Sequence, residues 1–262
     1  MGNVQRTRHY VTGKALWGAL TARLTRDYPE LSREYSEAKQ KYEHVGKLLN
    51  EQLAFSYFYP AVGAEVKPFP WDNADDFAWR YLNTYASTAL DYGRNSAEDG
   101  SLHETEFIAP VTRSDKKVNL IGYIFERDDG SLPWRKVPWR KVLSCLQLGG
   151  ERTYGWGRVR LESEPRDCGT TFWDGWQVEL NRVCPVLRAT DDNASLYAHT
   201  LTDGLDDARG RIEPLVGRTT TQAIAHGREL SGAQICWMPG ARLTSANVTL
   251  QIGENGVWGK SA

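Results

Sequence analysis

Long apolar runs, paired cysteines and a strong net charge are all missing from this sequence of 262 residues. No window approaches the roughly 18 consecutive apolar residues that a membrane-spanning helix needs, and no apolar core follows the basic residues at the start, as it would in a secretory signal. We therefore expect a cytoplasmic protein that does not bind membranes. The balance of 32 Lys and Arg against 33 Asp and Glu gives a net charge of −1, so a surface for a polyanion must come from local clusters of basic residues.

The cysteine and histidine patterns disfavour metal sites. The four cysteines lie far apart with no C-x-x-C pair, and no two histidines have the spacing of four residues found in zinc-binding helices. Short acidic doublets fall in loop-like stretches, where they usually form turns and caps. No G-x-S-x-G nucleophile elbow is present. We expect no metal, no cofactor, no catalytic residue, and four thiols that are buried or inert.

Helical spacing of apolar residues is confined to the first part of the chain. It predicts a helix over 14–26, a second helix or a pair of helices over 30–52, and a further helix over 76–90. Two strand candidates, 103–111 and 118–126, are predicted to pair as a hairpin.

Beyond about residue 165 the pattern changes to short strands separated by Gly, Pro, Asn and Asp, after a strand predicted at 158–164. Helices early and strands late predict an α+β fold. We expect one domain over 1–164, which carries a helical insertion, and a β-rich C-terminal lobe over 165–262.

The segment LGGERTYGWGRVRL, at 148–161, carries the clearest chemistry. Four glycines and three arginines fall within twelve of its residues. Glycines let a polyanion approach the backbone N–H groups, arginines donate in pairs to phosphate oxygens, and aromatic rings stack on bases. A dinucleotide-binding fingerprint is excluded, because no third glycine follows at the required offset. The alternative is a hairpin whose glycines only satisfy turn geometry. The residues we select are Gly149, Gly150, Arg152, Tyr154, Gly155, Trp156, Gly157 and Arg158.

A second basic cluster lies where the first helix is predicted to begin. It consists of Arg6, Arg8, His9, Gly13 and Lys14. The free N–H groups and the positive end of the helix dipole make such a terminus suitable for an anion. The alternative is a solvated basic arm.

Together these segments resemble the RAMP superfamily of CRISPR-associated proteins. The stretch 149–159 is similar to the family's loop of the type G-G-x-x-x-x-G-x-G-x-V, and 11–20 is similar to its early helix start, P-G-S-x-L-x-G-A-L-x. Segments 100–110 and 212–218 are similar to parts of subunits of type III interference complexes. The resemblance implies a ferredoxin-like, RNA-recognition-like core with insertions, in a crRNA-binding structural subunit that grips the guide backbone. The implied partners are guide RNA, target RNA in the assembled complex and other CRISPR-associated subunits.

The sequence also departs from this family. In members that cut target RNA the catalytic aspartate lies upstream of the helix start, whereas only twelve residues precede Gly13 here and none is acidic. We therefore expect no RNA cleavage. Lys14 stands where the family commonly has a small hydroxyl residue.

Two alternative functions stay open at this point. The first is a metal-independent guide-processing endoribonuclease that uses His9 as a general base. The second, outside the family, is a small-ligand or carbohydrate-binding module. Its groove would be lined by Trp173, Trp176, Trp237 and Trp258.

Overall fold

The computed structural model describes residues 3–127, 137–180, 184–219, 229–230 and 232–260. Its helices in these ranges are α1 (Gly13–Asp27), α2 (Ala38–Gln52), α3 (Ala74–Tyr81) and α4 (Trp139–Val142), with 3₁₀ turns at Pro29–Ser32, Arg152–Tyr154 and Glu254–Gly256.

The strands of the described ranges are short. In chain order they are β1 (Asn3–Gln5), β2 (Leu53–Phe55), β3 (Tyr59–Val62), β4 (Leu82–Ser87), β5 (Leu90–Asp91), β6 (Ser96–Ala97), β7 (His103–Ile108), β8 (Val118–Ile121), β9 (Ile124–Glu126), β10 (Leu146–Gln147), β11 (Arg158–Val159), β12 (Trp176–Leu180), β13 (Pro185–Ala189), β14 (Thr200–Leu201), β15 (Ala208–Arg209), β16 (Ile212–Leu215), β17 (Arg218–Thr219), β18 (Glu229–Leu230), β19 (Gln234–Trp237), β20 (Arg242–Leu243), β21 (Thr249–Ile252) and β22 (Trp258–Lys260).

Helix α1 begins where the sequence provides a cap. The Thr12 hydroxyl accepts a hydrogen bond from the Ala15 amide over 3.2 Å, which satisfies one of the free donors of the first turn. Leu16, Leu20 and Leu24 recur at helical spacing and are buried. The predicted helix over 14–26 is confirmed. The pair of helices predicted over 30–52 is also confirmed, and it consists of a 3₁₀ turn followed by α2.

Two predictions of local structure hold only in part. The helix expected over 76–90 ends at Tyr81, because the chain then turns extended and β4 pairs with β7 along its whole length. The hairpin expected from 103–111 and 118–126 is limited to its turn, where Val111 and Lys117 form an isolated antiparallel bridge and the Val118 amide donates to the Pro110 carbonyl over 2.9 Å. Beyond this turn, β7 pairs with β4 and β1, β8 pairs with β3, and β9 pairs with β2. The strand predicted at 158–164 is limited to β11. Pairing with strands outside the predicted segments overrides the local pattern in the first two cases.

The chain divides into two compact units, and the first consists of the described parts of Met1–Val11 and Phe58–Ile121. It contains a three-stranded sheet in the order β1-β7-β4, the pair β3-β8 and the small hairpin β5-β6. Helix α3 supplies the core of this unit, in which Phe77 and Tyr81 are fully buried beside Leu82.

The second unit consists of the described parts of Thr12–Tyr57 and Gly122–Ala262. Helix α1 packs against α2 and against the 3₁₀ turn Glu254–Gly256. The largest sheet has seven strands in the order β12-β13-β21-β22-β14-β19-β16 and is antiparallel except between β14 and β22. The hairpin β10-β11 belongs to this unit.

The α+β class and the β-rich character beyond residue 165 are confirmed by these elements. The ferredoxin-like arrangement of the core and the division at residue 164 stay predictions. Within the described ranges, no helix is both long enough and apolar enough to cross a membrane.

Candidate nucleic-acid interface

The glycine-rich segment forms the end of a short hairpin. Strands β10 and β11 pair antiparallel, with Leu146 opposite Val159 and Gln147 opposite Arg158. The Leu148 amide then donates to the Gly157 carbonyl over 2.8 Å, which closes the loop at its base. Residues 149–158, from the first glycine to the first residue of β11, therefore project as one loop from this stem.

The loop is held in shape by the side chain of Gln147. Its Nε2 donates to the carbonyls of Arg152 and Trp156, both over 2.9 Å. The Nε of Arg152 in turn donates to the Gly149 carbonyl over 3.0 Å. These bonds satisfy carbonyls inside the loop.

Turn geometry accounts for three of the four glycines. Gly149, Gly155 and Gly157 have φ values of 80°, 85° and 73°, in the left-handed region that favours glycine. At Gly157 a Cβ would lie 1.8 Å from the Leu148 carbonyl oxygen, so no side chain fits there. Glycine content alone therefore does not establish binding of a polyanion. Such binding depends on the hydrogen-bond donors of the loop.

Those donors are open. Gly149 and Gly150 are exposed, and no described residue accepts a hydrogen bond from their amides. Arg152 and Arg158 are exposed, and the Tyr154 side chain is 81% exposed. Trp156 and Glu151 are half-buried. Glycine amides and arginines on one projecting loop provide hydrogen bonds and positive charge for phosphate oxygens.

The stem of the loop packs against helix α1 of the same unit through strand β10. Burial raises the pKa of the Tyr42 phenol on α2, and the nearby Arg152 guanidinium opposes that rise. The charge of Arg152 therefore acts at the surface of α2 as well as on the loop.

The N-terminal cluster is distributed over the two units. Arg6, Arg8 and His9 belong to the first unit, and Gly13 and Lys14 to the second. Arg6 and Arg8 are exposed, and Arg8 Nη1 donates to the Tyr10 hydroxyl over 3.2 Å.

His9 packs into the first unit by stacking on Phe77, with ring centroids 5.3 Å apart and planes inclined by 28°. Burial lowers its pKa, and the negative charge of Glu106 opposes this shift. A neutral imidazole near pH 7 is therefore favoured, in keeping with the chemistry of a general base.

Gly13 has a packing role. A Cβ at this position would lie 2.7 Å from the Asn255 carbonyl oxygen and 2.9 Å from the Gly256 Cα. The first turn of α1 thus meets the backbone of the 3₁₀ turn Glu254–Gly256 closely enough to require glycine. Lys14, the next residue, is half-buried.

The tryptophans selected for a ligand groove do not form one. Trp173, Trp176 and Trp258 are buried in the second unit, and the Trp258 side chain is fully inaccessible. Trp237 is half-buried, and its indole N–H donates to the Leu205 carbonyl over 3.4 Å. The prediction of a groove lined by these rings is wrong, because they pack in the core.

One buried polar network was not predicted from the sequence. The His199 ring lies between the Tyr57 hydroxyl, 2.7 Å from Nδ1, and a Glu213 carboxylate oxygen, 2.6 Å from Nε2. His199 and Tyr57 are buried, so this network supports packing in the second unit. Its members are far apart in sequence, and no local pattern could have revealed it. In the described part of the chain, no group of three or more His, Cys, Asp or Glu could hold a metal ion.

No protein-family model and no curated protein matches this chain. Among solved structures, the chain is similar to one in "Cryo-EM structure of the Type III-B Cmr-beta bound to cognate target RNA and AMPPnP, state 1". The identity is 10%, the TM-score is 0.47, and the match covers 92% of this chain and 79% of that chain. A likeness this weak carries no argument about function, which is proposed below from the residues themselves.

Proposed function

We propose that this chain is a guide-RNA-binding structural subunit of a CRISPR type III ribonucleoprotein effector complex. The observation that carries the proposal is the projecting loop of residues 149–158, whose open amides and exposed arginines are placed for phosphate oxygens. The resemblance of this loop and of the α1 start to RAMP proteins supplies the guide RNA as the polyanion. Target RNA and neighbouring CRISPR-associated subunits are then the further partners.

The loop is suited to phosphates and poorly suited to reading sequence. Residues 148–161 contain no Asn or Gln to bind base edges. The nearest amide, Gln147, already donates to two carbonyls of the loop. Tyr154 adds an exposed ring on which any base can stack. Binding through this loop is therefore steep in salt and tolerant of sequence.

The proposed role is structural and does not include RNA cleavage. Incubation of the purified chain with guide precursor or target RNA should leave both intact. The second candidate, a metal-independent endoribonuclease, rests on half-buried His9, whose pKa is lowered by burial. Cleavage by the wild-type protein that is lost in His9→Ala would establish that candidate and overturn the structural role.

The test of RNA binding compares two double variants of equal charge change. The first, Arg152→Ala with Arg158→Ala, removes the two arginines of the loop. The second, Arg209→Ala with Arg242→Ala, removes two exposed arginines that lie opposite each other on β15 and β20. Affinities for unrelated single-stranded RNAs of equal length are measured between 50 and 300 mM salt. The loop variant should lose affinity equally for all of them, and its slope of log K against log salt should fall by roughly 1.4, about 0.7 per arginine.

The control pair should keep wild-type affinity and slope. Loss confined to one RNA sequence, or equal losses in the two double variants, would contradict phosphate binding by the loop.

A further inference from the structure

A pocket of about 410 Å³ opens in the second unit beside helices α1 and α2. Its lining consists of the aromatic Trp17 and Tyr42, the polar Lys47, Asn50 and Arg127, and three carboxylates that are named below. Its volume falls within the range of small-molecule sites. Its lining combines aromatic rings with both donors and acceptors of hydrogen bonds.

The aromatic wall of the pocket is rigid. The Trp17 and Tyr42 rings meet edge to face, with centroids 6.0 Å apart and planes at 79°. The Trp17 indole N–H donates to the Gly46 carbonyl over 3.0 Å, which fixes the ring against α2. Because the two rings are nearly perpendicular, a planar ligand can stack on the face of one of them and meet the edge of the other.

The polar groups of the pocket are available. Arg127 Nε is buried and has no hydrogen-bond partner in the described part of the chain. A buried donor without an acceptor is unfavourable, so an acceptor supplied by a ligand would relieve it. The Arg127 amide donates to the Gln52 carbonyl over 2.8 Å, which anchors this residue beside the end of α2.

Helix α2 presents the other polar groups on one face. Lys47 is followed at three and four residues by Asn50 and Glu51, which is the spacing of neighbours on a helix surface. Within the described ranges, neither Lys47 nor Glu51 is part of an ion pair. The face therefore offers an ammonium, an amide and a carboxylate together.

The charges decide the class of ligand. Carboxylates at Glu43, Glu51 and Glu254 line the same pocket and would repel a phosphate. Lys47 and Arg127 would equally repel a cationic side chain. A neutral, planar ligand with both donors and acceptors avoids both penalties, and a nucleobase is such a ligand.

Among the four bases, guanine fits best. Its adjacent N1–H and N2–H donors match the two oxygens of one carboxylate, and its O6 and N7 acceptors match arginine or lysine. Adenine, cytosine and uracil lack the adjacent donor pair.

We propose that the pocket binds an unstacked guanine base of single-stranded RNA. Placing that base in RNA rests on the proposed function, in which the backbone lies on the loop of residues 149–158. The loop and the pocket are neighbours, because strand β10 at the base of the loop packs against α1, which contributes Trp17 to the pocket wall. A base that leaves the stack next to the bound phosphates can therefore reach the aromatic wall.

The pocket is tested without RNA by calorimetric titration with the neutral nucleosides guanosine, inosine, adenosine, cytidine and uridine. Guanosine should bind about tenfold more tightly than the other four, including inosine, which lacks only the N2 amine. Equal binding of all five, or binding of none, would overturn the proposal.

Variants of exposed pocket residues separate binding from folding. Lys47→Ala, and Glu43→Gln combined with Glu51→Gln, should each lower the affinity for guanosine at least fivefold at an unchanged thermal midpoint. Lys41→Ala on the same helix, which does not line the pocket, should bind it like the wild type. An equal loss of affinity in Lys41→Ala would contradict the assignment of the binding site to this pocket.

The two proposals fail in different ways. If Arg152→Ala with Arg158→Ala loses RNA while the wild-type protein does not bind guanosine, the loop function stands and the guanine pocket is wrong. If the wild-type pocket binds guanosine and the loop variant keeps full RNA affinity, the guanine site stands and the loop function is wrong.

Discussion

The Trp17 indole lies across Gly46 so closely that a Cβ on residue 46 would be 2.6 Å from its Cζ2 atom. The same indole donates its N–H to the Gly46 carbonyl over 3.0 Å. Glycine at this position therefore decides how near α1 approaches α2, and it also decides where the aromatic wall of the pocket lies. One residue without a side chain thus connects helix packing with the proposed site.

Gly46→Ala should push the indole away from α2. Overpacking of this kind costs about 1–3 kcal/mol, of which about 1 kcal/mol is offset by the better helix propensity of alanine. The control is Gly18→Ala on α1, where a Cβ would meet only the Tyr42 hydroxyl, at 3.5 Å. Thermal unfolding should show a lower midpoint for Gly46→Ala and an equal or higher one for Gly18→Ala. Equal midpoints of the two variants would contradict the contact.

Gly157→Ala should open the base of the glycine-rich loop. A Cβ there would collide with the Leu148 carbonyl, and the φ of 73° is itself unfavourable for alanine, at a cost of about 1 kcal/mol or more. Hydrogen exchange of the Leu148 amide, which donates to Gly157, should accelerate in this variant, and RNA affinity should fall. In Gly150→Ala, where a Cβ would meet nothing within 4 Å, the Leu148 amide should stay protected.

His9 should make the first unit less stable in mild acid. Burial lowers the folded-state pKa of His9 below its usual value of 6.5, so the unfolded chain binds the proton more readily as the pH falls. The stability is fully present above pH 6.5 and is lost progressively as the pH drops through the folded-state pKa. His9→Phe keeps an aromatic ring on Phe77 and removes this titration. Between pH 8 and pH 5 its thermal midpoint should fall less than that of the wild type, and parallel curves would refute the assignment.

The four cysteines should differ in reactivity. Cys145 and Cys168 are exposed, whereas Cys236 is fully buried. Burial, together with the charge of Glu213, raises the pKa of the Cys236 thiol to about 11, so almost no thiolate is present at pH 8. A thiol-specific disulfide reagent should label Cys145 and Cys168 rapidly, and Cys236 only after unfolding. Rapid labelling that persists at residue 236 in Cys145→Ala with Cys168→Ala would contradict the buried assignment.

Local sequence determined helix α1 and the position of the loop. The Thr12 cap and the leucines at helical spacing are sufficient to place α1 within one residue of its observed ends, because helix bonds join residues four apart. The sequence alone predicts the glycine-rich loop. Three of its glycines adopt the left-handed conformation expected from the alternative interpretation, a hairpin whose glycines only satisfy turn geometry. Its proposed RNA contacts stay a prediction.

Only the tertiary structure decided the strand pairing and the contents of the pocket. β7 and β8 follow each other in sequence, yet each pairs with a strand that comes earlier in the chain. The pocket joins Trp17 on α1 with residues on α2 and with Arg127, and no periodicity links positions so far apart. The sequence also does not predict whether each tryptophan is exposed or buried, since the same ring can fill a core or face a ligand. Contacts between distant residues depend on how whole elements pack, and that information lies in the complete chain and not in any local segment of it.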